Sequence, residues 1–347
     1  MSKRIYYLDI LRVIACLSVI MIHVCAPYAA KEFGSVNFWA GNILDGLARI
    51  GVPLFVMISG SLMLDKNYQM SKDKLKKRIL KMILFFIFWS IIYFIIFDVI
   101  LAGSIRHGQI SISKIITSLI SGYSHLWFIY LIIGLYLIVP ILRLWVTDSN
   151  KKYVEYFLIL AVIFTYIIPE IANIGSLYFN LFRTINEIIN DKLILQYVGG
   201  YTTYFILGWY ISNYDLKNKN VIYLCGLIGL YITIMGTYTL SLSEGRYVGI
   251  PYSNLSINIL FQTAAVFVLI KDKFKNTTNK IIDSISKRSL GIYAIHYSII
   301  SIMYEILNNF HMDNALINIP MIFITSFIIS YIISLIMSKI PLLKKYV

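Results

Sequence analysis

Arg12 and His23 lie inside the first apolar stretch of the chain, Leu8–Pro27. A stretch of that length reads as a membrane-spanning helix. An ionisable side chain there is costly, by roughly 2.5–3.5 kcal/mol for Arg at the helix centre on insertion scales. It therefore faces protein or a water-filled cavity and marks a site by default. The two positions are eleven apart. That is close to three turns at about 3.6 residues per turn, so both project from one face, roughly 16 Å apart along the axis. One helix face thus carries a fixed cation toward one end and a proton-transfer group toward the other.

Asp45 and Arg49 stand in the second apolar segment, 43–64. If that segment returns antiparallel to the first, the two residues bracket His23 in depth. A His with a carboxylate at its level fits a general base held in one tautomer by an acid. Arg49 would then stabilise a developing oxyanion. The plain alternative is that Asp45 and Arg49, four apart, neutralise one another, as Asp9 and Arg12 can at three apart. Further along, Lys72–Lys81 is a basic stretch leading into the third apolar segment. Positive charge there follows from membrane topology or from anionic lipid. Arg78 and Lys81, one turn apart, also suit the phosphates of a cytoplasmic ligand.

Five histidines occur in all. His125 begins the fourth segment beside Trp127, where an interfacial anchor is the simple reading. His296 falls mid-span in the ninth, where a bond to a neighbouring helix is expected. His107 and His311 fall in loops. No metal-ligand spacing, glycine-rich phosphate loop or Gly-x-Ser-x-Gly elbow is present, so no metal is expected. The three cysteines, Cys16, Cys25 and Cys225, all lie in apolar segments and read as packing residues.

The elements that position these residues follow from composition. Of 347 residues 59% are hydrophobic and 14% charged, with mean hydropathy +0.75. Soluble domains carry about 25% charged residues, so the chain is an all-α polytopic membrane protein. Its net charge of +14 belongs to loop topology rather than to nucleic acid, which is not an expected partner. Asp9 and Arg12 interrupt the first apolar run, and no small-residue cleavage site follows it, so a retained helix is expected rather than a signal peptide.

Ten apolar segments can be drawn, at about 8–27, 43–64, 79–101, 124–146, 153–169, 197–212, 221–240, 255–271, 289–308 and 316–337. With the N-terminus inside, the inner segments hold 23 Lys and Arg and the outer ones 6. That asymmetry, repeated at every loop, predicts cytoplasmic termini in the cell membrane. It puts Arg12 near the cytoplasmic face and His23 near the outer one. No internal repeat is evident. The chain ends about ten residues after the last span, so a single membrane domain with no appended soluble domain is expected. Between the fifth and sixth spans, Tyr178, Leu181, Phe182, Ile185, Ile188 and Ile189 recur at helical spacing and predict an amphipathic outer helix.

Several of these segments, in order, carry a resemblance. Leu8-Asp9-Ile10-Leu11-Arg12, followed after ten residues by His23, is similar to the Arg-x10-His signature of the acyltransferase family 3 membrane proteins. The run Val52-Pro53-Leu54-Phe55-Val56-Met57-Ile58-Ser59-Gly60 resembles that family's second-helix motif. Arg78-Ile79-Leu80-Lys81 resembles its Arg-x-x-Arg, with Lys in the last place, which keeps charge and loses the bidentate fork. His125-Leu126-Trp127-Phe128 and Gly291-Ile292-Tyr293-Ala294-Ile295-His296 also look like family segments. The resemblance implies transfer of an acyl group, usually acetyl, from cytoplasmic acyl-coenzyme A to a hydroxyl of a cell-surface glycan. It implies that His23 is the catalytic histidine, that Arg12 positions the donor, and that Arg78 and Lys81 contact the coenzyme's phosphates. Two rivals stay open: a polysaccharide or glycolipid exporter, which intramembrane charges and glycine-interrupted helices would suit, and a module that senses or scaffolds other envelope proteins.

Overall fold

The computed structural model describes residues 5–68, 70–101, 111–188, 196–274 and 278–347. Fourteen α-helices are found in these residues, and none of them is in a strand. They are α1 Tyr6–Ala29, α2 Val36–Ala48, α3 Gly51–Met63, α4 Lys72–Tyr93, α5 Ile112–Ser121, α6 Trp127–Trp145 and α7 Lys151–Ala161. Then follow α8 Ile168–Tyr178, α9 Asn180–Glu187, α10 Gln196–Asn213, α11 Lys219–Glu244, α12 Ile257–Lys273, α13 Lys280–Asn309 and α14 Ala315–Lys339. Nine stretches among the described residues are long and apolar enough to cross a membrane.

Lipid explains which residues point where. Leu137, Ile141 and Leu144 on α6 are 59–79% exposed, while Asn42, Thr233, Thr237 and Asn258 are fully buried. Apolar side chains face hydrocarbon, and polar ones must find partners within the protein. On α11, Thr233 and Thr237 return their hydroxyls to the carbonyls one turn back, and Thr233 Oγ1 also accepts from Asn258 and Gln262 of α12, each at 2.6 Å. All-α architecture follows from the same constraint, because a helix satisfies its backbone within one segment.

The structure refines three of the predicted spans. The sixth predicted span, 197–212, is α10, and it falls short of the other nine in apolarity. Its middle is enclosed by protein rather than lipid: Thr203, Tyr204, Phe205 and Ile206 are fully buried. A Cβ on Gly60 of α3 would collide with the Phe205 backbone, and one on Gly208 of α10 with that of Met57. This reciprocal glycine contact lets the two backbones touch, as small residues do between membrane helices. The second span starts earlier than position 43, at Val36, and is broken at Arg49 and Ile50 between α2 and α3. Pro53 has no N–H to return to the Arg49 carbonyl, so one rung of the helical ladder is missing there. The fifth span reaches Tyr178 through a π-helical stretch, Val162–Ile167. Tyr178 therefore belongs to the fifth span, while Leu181, Phe182 and Ile185 of the expected amphipathic outer helix fall in α9, whose Phe182 sits on Gly175 and whose Leu181 is 67% exposed. Ile189 lies outside the described residues.

The chain divides into two compact units. The first comprises residues 1–68, 140–286 and 314–319, and the second 69–139, 287–313 and 320–347. In the first, α1 packs on α2 and α3, α3 on α10, and α11 on α12. In the second, Trp89 of α4 donates to the Tyr346 carbonyl, and Tyr93 to the Ala294 carbonyl of α13.

Candidate functional site

Helix α1 is continuous from Tyr6 to Ala29, so Arg12 and His23 do share one rod about three turns apart. Two glycines set how the next helices lie against it. A Cβ on Gly41 would come within 2.6 Å of Tyr28 Cβ, and one on Gly51 within 3.1 Å of the Ala15 carbonyl. The chain between them passes the stretch of α1 between Ala15 and Tyr28, which contains His23. Asp45 and Arg49 are therefore carried to the His23 level, as the antiparallel reading predicts. The guanidinium charge of Arg49 acts on both His23 and Cys25.

Asp45 and Arg49 form the pair that their spacing allows. Arg49 Nη2 donates to Asp45 Oδ2 at 2.5 Å. The Asp45 side chain is wholly buried and that of Arg49 is 18% exposed. The pair does not use up its polar capacity, because Asp45 Oδ1 and Arg49 Nε are both buried without a hydrogen-bond partner. An ion pair with an unmatched acceptor and donor is expensive as structure alone. It is better suited to holding a reacting polar group.

Sequence reasoning missed the floor beneath this pair. Tyr252 lies with its ring 4.3 Å from the Arg49 guanidinium carbon, a cation–π contact. Its hydroxyl donates to the Asn42 carbonyl at 3.0 Å and also bonds the Asn42 side chain. Asn42 in turn donates to the Ile234 carbonyl at 3.0 Å. Tyr252 is some 200 residues from Arg49 in sequence, and only the fold brings them together. A lone Tyr in a short loop gives no periodic signal, although Pro251 before it marks a turn.

Arg12 is engaged at the other end of the α1 face. Its Nη1 donates to Asp9 Oδ1 at 2.8 Å and to Ser286 Oγ at 2.9 Å, and Ser286 donates to Asp9 at 2.6 Å. The Asp9 pair is thus real, and it fixes the guanidinium while 26% of the Arg12 side chain stays exposed. A second feature of this unit is a cavity of about 370 Å³ lined by Lys66, Arg143, Asp148, Trp209 and Asn213, among others. Arg143 donates there to the Tyr68 carbonyl at 2.9 Å. Lys66 is bonded to Asp148 at 2.6 Å, which holds its ammonium proton more firmly than in a free lysine.

The second unit carries Arg78 and Lys81. Both are exposed on α4, whose first turn is capped by Ser71 accepting from the Lys74 N–H. Their charges act on one another across one turn. His125 is buried rather than an interfacial anchor, its ring between those of Tyr93 at 4.6 Å and Tyr297 at 4.9 Å. His296 meets the Tyr293 carbonyl of its own helix at 2.6 Å, and its ring centre lies 5.7 Å from that of His125.

Residues 5–338 match the acyltransferase 3 family model, described as an acyltransferase domain. The chain belongs to the acyltransferase 3 family. It is a membrane acyltransferase, and the buried charges of its first three helices are to be read in the light of acyl transfer. No curated protein and no solved structure matches the chain. Among the described residues no group of three or more His, Cys, Asp or Glu could hold a metal ion.

Proposed function

We propose that this acyltransferase moves an acyl group, usually acetyl, from cytoplasmic acyl-coenzyme A to a hydroxyl of an extracytoplasmic envelope glycan. One observation carries the reading: His23 shares a continuous helix with Arg12 and stands level with the buried Arg49–Asp45 pair. His23 takes the proton of the acceptor hydroxyl as that oxygen attacks the thioester carbonyl. A C–O bond forms and the C–S bond breaks. The coenzyme leaves as a thiolate, and the imidazolium returns the proton to its sulfur. Arg49 faces the negative charge that collects on the carbonyl oxygen during attack. Asp45 holds Arg49 in place.

The donor side follows from charge. Arg12, fixed by Asp9 and Ser286, guides the donor, and Arg78 with Lys81 meets its phosphates. The excess of Lys and Arg puts these groups on the cytoplasmic side and His23 toward the outside of the cell membrane. The pantetheine arm then spans the gap along α1.

The test is the O-acyl content of surface glycan in cells expressing the wild type or His23→Ala at equal levels. A general base contributes about 10²–10⁴-fold, so acylation should fall by at least about 100-fold. Unchanged acylation in His23→Ala would sink the reading.

A further inference from the structure

A cavity of about 440 Å³ opens in the first unit, lined in part by Thr165, Glu170, Asn173, Gly200, Tyr201 and Ser256. Three departures from regular helix converge on it. Thr165 sits in the π-helical stretch Val162–Ile167. Gly200 leaves helical geometry within α10, at φ 42° and ψ −138°, a conformation that L side chains rarely adopt. Ile250, also in the cavity wall, begins the 3₁₀ turn Ile250–Tyr252. At membrane depth, irregular backbone persists where it is buried in protein or lines a cavity, and π turns gather at functional sites.

Thr165 says most about what the cavity is for. It is 3% exposed, and its Oγ1 is buried with no hydrogen-bond partner. Space is kept for that hydroxyl, since a Cβ on Gly199 would collide with it. A buried hydroxyl left unmatched is a cost to the fold, and a ligand that bonds it removes the cost. The neighbouring polar groups are held in place. Glu170 accepts from the Ile257 N–H at 2.8 Å, Asn173 from Asn186 at 2.9 Å, and the Tyr201 hydroxyl from Asn254 at 3.1 Å.

A carboxylate, an amide, a hydroxyl and an aromatic ring around one cavity can bond a polyol and cover its C–H face. The volume lies within the range of about 300–1,000 Å³ usual for small-ligand pockets. Among the described residues no Lys or Arg lines the cavity, so these walls do not suit the phosphates of a coenzyme. It is also tied to the charged pair, because Tyr252, two residues after Ile250, lies against Arg49. We propose that this cavity is the acceptor subsite and takes a sugar residue of the envelope glycan, stacked on Tyr201 and bonded by Thr165, Glu170 and Asn173. The link to an acceptor rests on the acyl-transfer reading; the sugar-binding itself does not.

The experiment uses the purified full-length protein and fluorescently labelled, base-deacylated fragments of the host's envelope glycan. Dissociation constants are measured for wild type, Thr165→Val, Tyr201→Ala and Tyr201→Phe, with acetyl-coenzyme A binding measured alongside. Thr165→Val deletes only the unmatched hydroxyl, so its melting temperature should hold or rise while glycan binding weakens roughly five- to ten-fold. Tyr201→Ala should weaken it by at least about ten-fold, and Tyr201→Phe should restore most of that loss. Acetyl-coenzyme A binding should stay at the wild-type level in all three. Glycan binding unchanged in Thr165→Val and Tyr201→Ala, or absent in the wild type, would overturn the proposal. So would a parallel loss of coenzyme binding, which would put the cavity on the donor side. Glycan binding by a wild type that transfers no acyl group would uphold the sugar site and refute the acyl-transfer reading alone.

Discussion

A guanidinium paired with a carboxylate one turn back can serve the helix, the reaction or both, and Arg49 allows the two to be separated. Removing Arg49 alone leaves Asp45 buried and unpaired, which costs about 3–5 kcal/mol when a buried pair is broken. Replacing both partners by apolar residues of similar size is often neutral. Arg49→Met should therefore lower the melting temperature of the purified protein sharply, and Arg49→Met with Asp45→Leu should recover most of it. Glycan O-acylation should stay lost in both, by about 10²–10³-fold if Arg49 stabilises an oxyanion. Acylation that returns with stability would make the pair purely structural. At this scale the sequence is a good guide to pairs within a helix: Asp9–Arg12 and Asp45–Arg49 both form at their three- and four-residue spacings. It is silent on Ser286 and Tyr252, which complete these pairs from distant parts of the chain. Helical spacing encodes neighbours on one helix and nothing beyond it.

The break between α2 and α3 is what gives Arg49 its place. It follows the last residue of α2 and precedes the first turn of α3, where Pro53 withholds the N–H that would carry the ladder through. Pro53→Ala restores that donor and favours a continuous helix, with a changed direction for the Arg49 side chain. Because Ala is the better helix former by about 3 kcal/mol in a helix interior, the substitution should not destabilise the fold. It should still reduce acylation, since about 1 Å of misplacement costs on the order of 10²-fold. Equal expression, an unlowered melting temperature and reduced glycan O-acyl content would fit; full activity would make the break incidental. The apolar run from 43 to 64 hides the break, because hydropathy reports lipid contact and not backbone geometry, and Pro53 alone does not reveal it, since Pro140 and Pro320 lie inside unbroken helices. Helix α10 shows the converse. Its length and position could be read, but its weak apolarity makes sense only with Gly60 and Gly208 pressed against backbone.

Across the whole molecule, the proposed direction of transfer depends on which end of the first unit faces the cytoplasm. The fold fixes which residues share an end. Tyr252 brings the loop after α11 to Arg49, so Arg246 in that loop belongs to the His23 end, and Lys217, between α10 and α11, to the opposite one. Only the asymmetry of 23 inner to 6 outer Lys and Arg assigns these ends to sides of the membrane. Both residues are exposed, and single cysteines at either can be read with a membrane-impermeant thiol reagent once Cys16, Cys25 and Cys225 are replaced. Arg246→Cys should be labelled in intact cells, and Lys217→Cys only after permeabilisation. The reverse pattern would put His23 beside the cytoplasmic pool of acyl-coenzyme A. No path along α1 would then be needed, and a glycan outside the cell would be out of reach of the base.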